Sequence, residues 1–460
     1  MVSQLPGVKF DLDLIKKYDT VTPRYTSYPP ATELKEEFNH VDFQNAIASS
    51  NKRKTPLSLY FHIPFCQSAC YFCGCNVVVT NNRNMAKPYV DYLVSDIQHV
   101  SSLVDSQRIV EQIHWGGGTP NYLNIEQVEL IWKNINQNFN IAPNAEISIE
   151  INPRYITKDY IFFLREIGFN RISFGLQDFN PQVQEAINRI QPEEMLFDVM
   201  SWIKAAKFQS VNVDLIYGLP YQSLFTFRDT IKKTIELDPD RIAVFNFAYV
   251  PWVKPVQRKI PKEALPQPQE KLEILKMTIE ELTASKYLFI GMDHFAKPQD
   301  ELAIAQRNDN LKRNFQGYTT HAQAELLGFG ATSVSMLDDA YAQNHKQLKD
   351  YYRAIDAGNL ATSKGYKLNA DDIIRRDVIM SIMSGNRLDK HAIAQKYNLS
   401  FDDYFADEIQ GLQLLADDGL VNLSSQHITV TEIGRLLVRN IAVVFDAHQK
   451  TRERTLSRAI

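Results

Sequence analysis

The chain has 460 residues, 44% of them apolar and 23% charged, with a formal net charge of -4. This is ordinary globular material, long enough for one large domain and a smaller one, and the charge balance points to neither nucleic acid nor a membrane surface. No apolar run approaches the length of a membrane span, the N-terminal stretch lacks the apolar core of a signal peptide, and the cysteines are not spaced as a disulfide framework, so a reducing cytoplasm is expected.

Residues 1–50 read as an N-terminal arm. Within it, TPRYTSYPP (22–30) is expected to be extended, with Arg24 able to meet an anion, and 35–50 to form a short helix. A rhythm then begins. The β-rich runs 57–63, 111–116, 145–152, 171–177, 210–217 and 241–248 alternate with helical periods over 88–104, 125–139, 157–168, 181–207 and 224–237. Such alternation predicts a parallel α/β sheet.

The strand phases say more. Leu57, Leu59, Phe61 and Ile63 share one side of the first strand, while Ser58, Tyr60 and His62 share the other. The same split sets Glu146, Ser148, Glu150 and Asn152 against Ile147, Ile149 and Ile151, then Ser173, Gly175 and Gln177, then Asn212 and Asp214, against apolar neighbours. A sheet covered by helices on both faces reads as nearly continuous apolar runs. One apolar and one polar face therefore predict an open partial barrel of six β/α units with a polar lumen. Loops at the C-terminal ends of its strands carry the chemistry. The loop after the first strand holds every cysteine, and Gly116, Gly117, Gly118 and Thr119 follow the second.

The proline-rich stretch 251–268 reads as a boundary, giving an arm (1–50), a barrel (51–260) and a mostly helical C-terminal domain (261–460). In that last part, 269–285 is a helix and 291–336 is loop-rich. Residues 371–445 then run helix, helix, helix, hairpin, helix, in the order of a winged helix. Its third helix is acidic, which repels phosphate, so a structural or lid-like role is expected in place of nucleic-acid binding.

Cys66, Cys70, Cys73 and Cys75 lie within ten residues. Disulfides there would close only tiny loops. Zinc wants four ligands on one ion, usually as two separated pairs, and one short loop is a poor cage for it. Thiolates at 66, 70 and 73 suit three irons of a [4Fe–4S] cube, with the fourth iron left to a small molecule. Zinc and simple thiols remain the alternatives on spacing alone.

YFHIPFCQSACYFC followed by HWGGGTP resembles the radical S-adenosylmethionine (SAM) enzymes. With YTSYP at 25–29, the CGC ending at 73–75, AEISIE, FGLQDFN, NVDLIYGLP and NFQGYTT, the chain resembles, nearly end to end, the oxygen-independent coproporphyrinogen III oxidases. The resemblance implies a radical SAM partial barrel with a [4Fe–4S] cluster and room for two SAM molecules. Its reaction would be oxidative decarboxylation of two propionates of coproporphyrinogen III to vinyl groups, through a 5′-deoxyadenosyl radical, giving protoporphyrinogen IX. It makes Cys66, Cys70 and Cys73 the cluster ligands and leaves Cys75 a surplus thiol of unassigned role. Tyr60, His62, Cys75 and Gln316 become the catalytic candidates. Tyr60, Phe72, Gly117, Gly118, Thr119, Glu150, Gln177, Arg189, Asp214, Ala248 and Val334 become SAM contacts. It also implies an unidentified low-potential electron donor. Arg24, Arg258, Lys259, Arg307 and Arg313 are candidates to meet substrate propionates. A monomer is expected. The competing readings are a haem-binding chaperone of the HemW type and another tetrapyrrole-modifying radical SAM enzyme.

Overall fold

The computed structural model describes residues 7–20, 22–321 and 323–449. They fall into two compact units, one built from 34–281 and 323–367, the other from the described parts of 1–33, 282–322 and 368–460.

The larger unit contains the expected sheet. Its strands are β1 (Leu57–Ile63), β2 (Ile109–Gly117), β3 (Asn140–Ile151), β4 (Arg171–Gln177), β5 (Ser210–Tyr217) and β6 (Arg241–Asn246), each parallel to the next. Leu57, Leu59, Phe61 and Ile63 are fully buried, as the β1 phase requires. The crossover helices start where the side chains can cap them. Asn124 and Gln127 form a capping box before Ile125–Asn138, Ser223 and Thr226 do so before Leu224–Leu237, and Thr157 caps Lys158–Glu166.

Two expectations change. The helical period over 181–207 is two helices, Pro181–Ala186 and Glu193–Ala205. Between them Asn188 takes φ 54°, a left-handed conformation that asparagine tolerates, and Pro192 starts the second helix. The stretch 323–336, expected to be loop, is sheet. Glu325–Phe329 (β7) runs parallel to β1 on the side away from β2, with Leu57 opposite Glu325 and Tyr60 opposite Gly328. Val334–Met336 (β8), Ala340–Asn344 (β9) and Thr362–Lys367 (β10) continue it antiparallel. Residues 323–367 therefore join the sheet unit, as does the helix His40–Asn51. The glycines that make ELLGFGATS look like a loop serve close packing instead. A Cβ on Gly328 would lie 2.7 Å from the Val334 carbonyl oxygen, and Gly330 has φ +90°.

One ionic knot pins β7 to β1. The Glu325 carboxylate accepts from Arg108 Nη2 (2.6 Å), Arg53 Nη2 (2.8 Å), Thr55 Oγ1 (3.0 Å), the Asp338 amide (2.9 Å) and Ser50 Oγ. Burial raises its pKa, but these donors and cations outweigh burial and hold it at about 2.

In the smaller unit the arm is not simply extended: Tyr25 takes φ 45° and donates to Asp446 Oδ2 at 2.7 Å. Tyr25 and Tyr28 join a core with Val378, Ile382, Leu412, Leu420 and Ile441. Helices Ala370–Gly385, Lys390–Tyr397 and Ala406–Asp417 and the strands Arg387–Asp389, Val421–Leu423 and His427–Val430 give the expected winged-helix order, with a final helix of only Val438–Ala442. No helix among the described residues is long and apolar enough to cross a membrane.

Glu325→Gln removes the charge that Arg108 and Arg53 need. Breaking a buried pair this way is expected to cost roughly 3 kcal/mol near pH 7. Because the folded pKa lies below the unfolded value of about 4.3, the carboxylate's contribution is present above that value and fades as pH falls toward 2. Thermal midpoints of wild type and variant should differ at pH 7 and converge in acid.

Candidate active site

The cysteine loop leaves β1 at Ile63, whose carbonyl accepts from the Gly118 amide at 2.8 Å. Contacts distant in sequence fix its course. Asn188 donates to the Ala69 carbonyl (2.7 Å), the Tyr71 amide to the Ile187 carbonyl (2.9 Å), and Lys254 to the Cys75 carbonyl (3.3 Å). Buried Gln257 donates to both the Phe72 and Ala248 carbonyls.

The loop forms one wall of a cavity of about 520 Å³. Cys66, Cys70, Cys73, Cys75 and Phe72 line it with Gly117, Gly118, Thr119, Glu150, Gln177, Arg189 and Asp214. The strand ends thus converge where the alternation placed them. Gly117 and Gly118 have little room for a side chain. A Cβ at 117 would meet the His62 ring at 2.6 Å, and one at 118 the Pro64 carbonyl group at 2.8 Å.

Beneath the cavity the polar strand faces bond to one another. Ser58 donates to Gln112, which donates to Glu146. Tyr60 Oη meets His62 Nδ1 at 3.1 Å, and His62 Nε2 meets the Asn76 carbonyl at 3.2 Å. His114 stacks on Tyr60, bonds Ser148 at 2.6 Å and approaches Glu150 at 3.4 Å. The Gly117 amide donates to Glu150 Oε2 at 3.2 Å. Asn212 joins Ser173 to Asp214. Two cavity-lining residues keep a buried atom with no hydrogen-bond partner, Gln177 at Oε1 and Arg189 at Nε.

The electrostatics are divided. Burial pushes Glu150 up, but His114 and the Gly117 amide bring it below the ordinary carboxyl value. Burial, with the Glu150 charge adding to it, pushes Asp214 up to about 7. Burial also raises Tyr60 and lowers His62, so both stay neutral near pH 7. Burial carries the Cys66 thiol up to about 11. Cys73 is lowered by its hydrogen bonds from Cys75, and Cys75 is raised by the same bond. Arg189 Nη1 and Arg154 Nη2 point at Cys70 Sγ from 3.4 and 3.6 Å.

These residues fit a cluster better than a single ion. Among the described residues no three His, Cys, Asp or Glu side chains gather around one point, whereas a cube offers each thiolate its own iron. The cavity carries carboxylates (Glu150, Asp214), a guanidinium (Arg189) and the unpartnered Gln177 oxygen, which suits a zwitterion such as an amino acid.

Other expected residues lie apart from the cavity lining. Ala248 turns its carbonyl to Gln257. Val334 lies on β8, opposite Gln343 and against Gly328. Gln316 belongs to the smaller unit, in the turn between Asn314 and Gly317. His114, Arg154, Lys254 and Gln257 join the site without having been expected there. His114 shares the polar phase of β2 and is open to the same alternation argument; the other three act through contacts that no local pattern reveals.

The model of the radical SAM superfamily matches residues 60–234, and that of the HemN C-terminal domain matches 368–437. The chain is 58% identical to an oxygen-independent coproporphyrinogen III oxidase of Synechocystis sp., covering 100% of both chains. It is 50% identical to the Escherichia coli protein of that name, covering 98% of this chain and 99% of the relative. The solved structure of coproporphyrinogen III oxidase (HemN) from E. coli, described as a radical SAM enzyme, superimposes with a TM-score of 0.92 at 49% identity, over 96% of this chain and 99% of that one.

Asp214 supplies a test of the cavity without any ligand. Its folded pKa of about 7 lies above the unfolded carboxyl value, so its contribution favours the fold at low pH and is lost as pH rises toward 7. Asp214→Asn should leave the thermal midpoint nearly unchanged at pH 5 and raise it by a few degrees at pH 8. Equal midpoints at pH 8 would show that the carboxyl is not held in a dry site.

Proposed function

The chain belongs to the family of oxygen-independent coproporphyrinogen III oxidases, and from that membership we propose how its own residues divide the work. The enzyme decarboxylates two propionate side chains of coproporphyrinogen III oxidatively to vinyl groups, giving protoporphyrinogen IX, with a [4Fe–4S] cluster and SAM. Each conversion removes one hydrogen atom from a propionate β-carbon, one CO2 and one electron. When bound, the cluster and SAM supply the 5′-deoxyadenosyl radical that takes the hydrogen. The observation carrying this reading is the convergence of three cysteines with Glu150, Arg189 and Asp214 on one cavity.

Cys66, Cys70 and Cys73 hold the cluster. Arg154 and Arg189 both donate toward Cys70 Sγ and so fix the direction of that ligand. The backbone after the third ligand helps to orient it: the Cys75 amide donates to Cys73 Sγ at 3.4 Å. Ionised Glu150, held by His114 and the Gly117 amide, accepts hydrogen bonds from an ammonium or ribose. Gln177 Oε1 awaits a donor, and Arg189 meets a carboxylate. Asp214, Thr119, Phe72 and Gly118 complete the SAM-side wall; Ala248 and Val334, apart from the lining, are assigned to SAM by family membership alone. Tyr60 and His62, neutral and bonded to each other, form part of the polar floor beneath the cavity. Gln316 serves the substrate side. The electron reaches the cluster from a low-potential donor outside the chain.

Cys70→Ser should lower iron from about four per chain to near none while the far-UV circular dichroism stays native; a retained cluster overturns the ligand assignment. Glu150→Gln should keep the cluster's absorption and weaken SAM binding by about tenfold, the loss of one charge-assisted hydrogen bond, read by equilibrium dialysis with labelled SAM. The activity itself is tested by anaerobic incubation of reduced enzyme, SAM and coproporphyrinogen III. Two CO2 per protoporphyrinogen are expected, and no CO2 from enzyme with an intact cluster contradicts the reading.

A further inference from the structure

Around one hairpin of the smaller unit, guanidiniums outnumber carboxylates. Arg313 lies in the hairpin Lys312–Asn314/Gly317–Thr319, opposite Tyr318, its guanidinium 4.9 Å over that ring. The residue is 6% exposed. Its Nε and Nη1 are buried without a hydrogen-bond partner, although a guanidinium can never shed its charge to escape that cost. Beside it in the same turn, Gln316 has both side-chain amide atoms buried and unpartnered, while its backbone amide is fixed by Asn314 Oδ1 at 2.9 Å. Arg24 and Arg439 are its cationic neighbours. Asp293, paired with Arg24, is the carboxylate set against all three guanidiniums. Arg439 is occupied, donating to the Pro23 and Thr22 carbonyls.

Buried cations without acceptors are tolerated where a ligand supplies the missing anion. Sulfonium or ammonium groups are repelled here, and no phosphate belongs to this reaction. The substrate is a tetracarboxylate. We propose that the pocket formed by Arg313, Gln316 and Arg24 is a carboxylate-binding subsite of the smaller unit that takes a propionate of the tetrapyrrole. A carboxylate there accepts from Arg313 Nε or Nη1 and from the Gln316 amide nitrogen, and halves the excess of three cations over one anion. Arg24 is the more exposed member, with 38% of its side chain accessible, and is paired with Asp293. This subsite rests on the activity proposed above, and it makes recognition of the substrate depend on free carboxylates.

The test uses the reconstituted full-length enzyme and coproporphyrin III, the stable oxidised tetracarboxylate, beside its tetramethyl ester, with affinity read by porphyrin fluorescence polarisation. Wild type should bind the acid at least tenfold more tightly than the ester. Arg313→Gln should lose about tenfold for the acid and nothing for the ester. Equal binding of the acid by a folded Arg313→Gln variant overturns the subsite. Should the variant not fold, hydrogen exchange on wild type decides: the amides of 312–319 should gain protection with the acid and none with the ester, and no gain with the acid overturns it. Failure of these results with CO2 release intact sinks the subsite alone, whereas absence of turnover in wild type sinks the activity.

Discussion

A parallel strand that is apolar on one face and polar on the other cannot be sandwiched between helices, and the larger unit is built on that constraint. Each polar group on the inner face must find its partner on the next strand. Ser58 finds Gln112, Gln112 finds Glu146, His114 finds Ser148 and Glu150, and Asn212 finds Ser173 and Asp214. These bonds run along the floor, whereas at the strand ends Gln177 Oε1 and Asn246 Oδ1 remain without a donor. Polar satisfaction below and its failure above mark the floor and the mouth of one cavity. Beside that mouth stand the cysteines.

The cavity's charges follow from their supports. Glu150 and Asp214 are both acids on adjacent polar faces, yet they are driven apart: His114 and a backbone amide hold the first ionised, and burial beside that charge raises the second. A site with one fixed carboxylate, one adjustable one and a guanidinium receives a zwitterion without changing the protein's net charge. The same logic in reverse operates at Arg313. There cations outnumber acids, and the missing partner is an anion.

The parts of the molecule legible in its sequence are those written in alternation. Period two alone gives the limits of β1, β4 and β5, and the polar phases of Tyr60, Glu150, Gln177 and Asp214 put those residues on the lumen side. The six-unit parallel core and the winged-helix order are legible for the same reason. What escapes is set by contacts far along the chain. β7 reads as loop because its glycines look like breaks, while Gly328 is small to admit the Val334 carbonyl. Its pairing with β1 depends on Arg108 and Arg53 reaching Glu325, more than 200 residues away. The break after Ala186 is hidden by a helical period that continues through it. The backbone amide of Cys75 orients the Cys73 sulfur, a contact that spacing does not reveal and that leaves the thiol itself unassigned.

On the proposed reading Cys66, Cys70 and Cys73 would hold the cluster and leave one iron open to the amino and carboxylate groups of SAM. Electron paramagnetic resonance of the reduced, reconstituted enzyme with SAM labelled at the amino nitrogen with ¹⁵N and at the carboxylate with ¹⁷O tests it most directly. Shifted g-values on adding SAM, with hyperfine couplings to both labels, are expected. An unchanged signal, with no coupling to either nucleus while SAM is bound, would contradict the account.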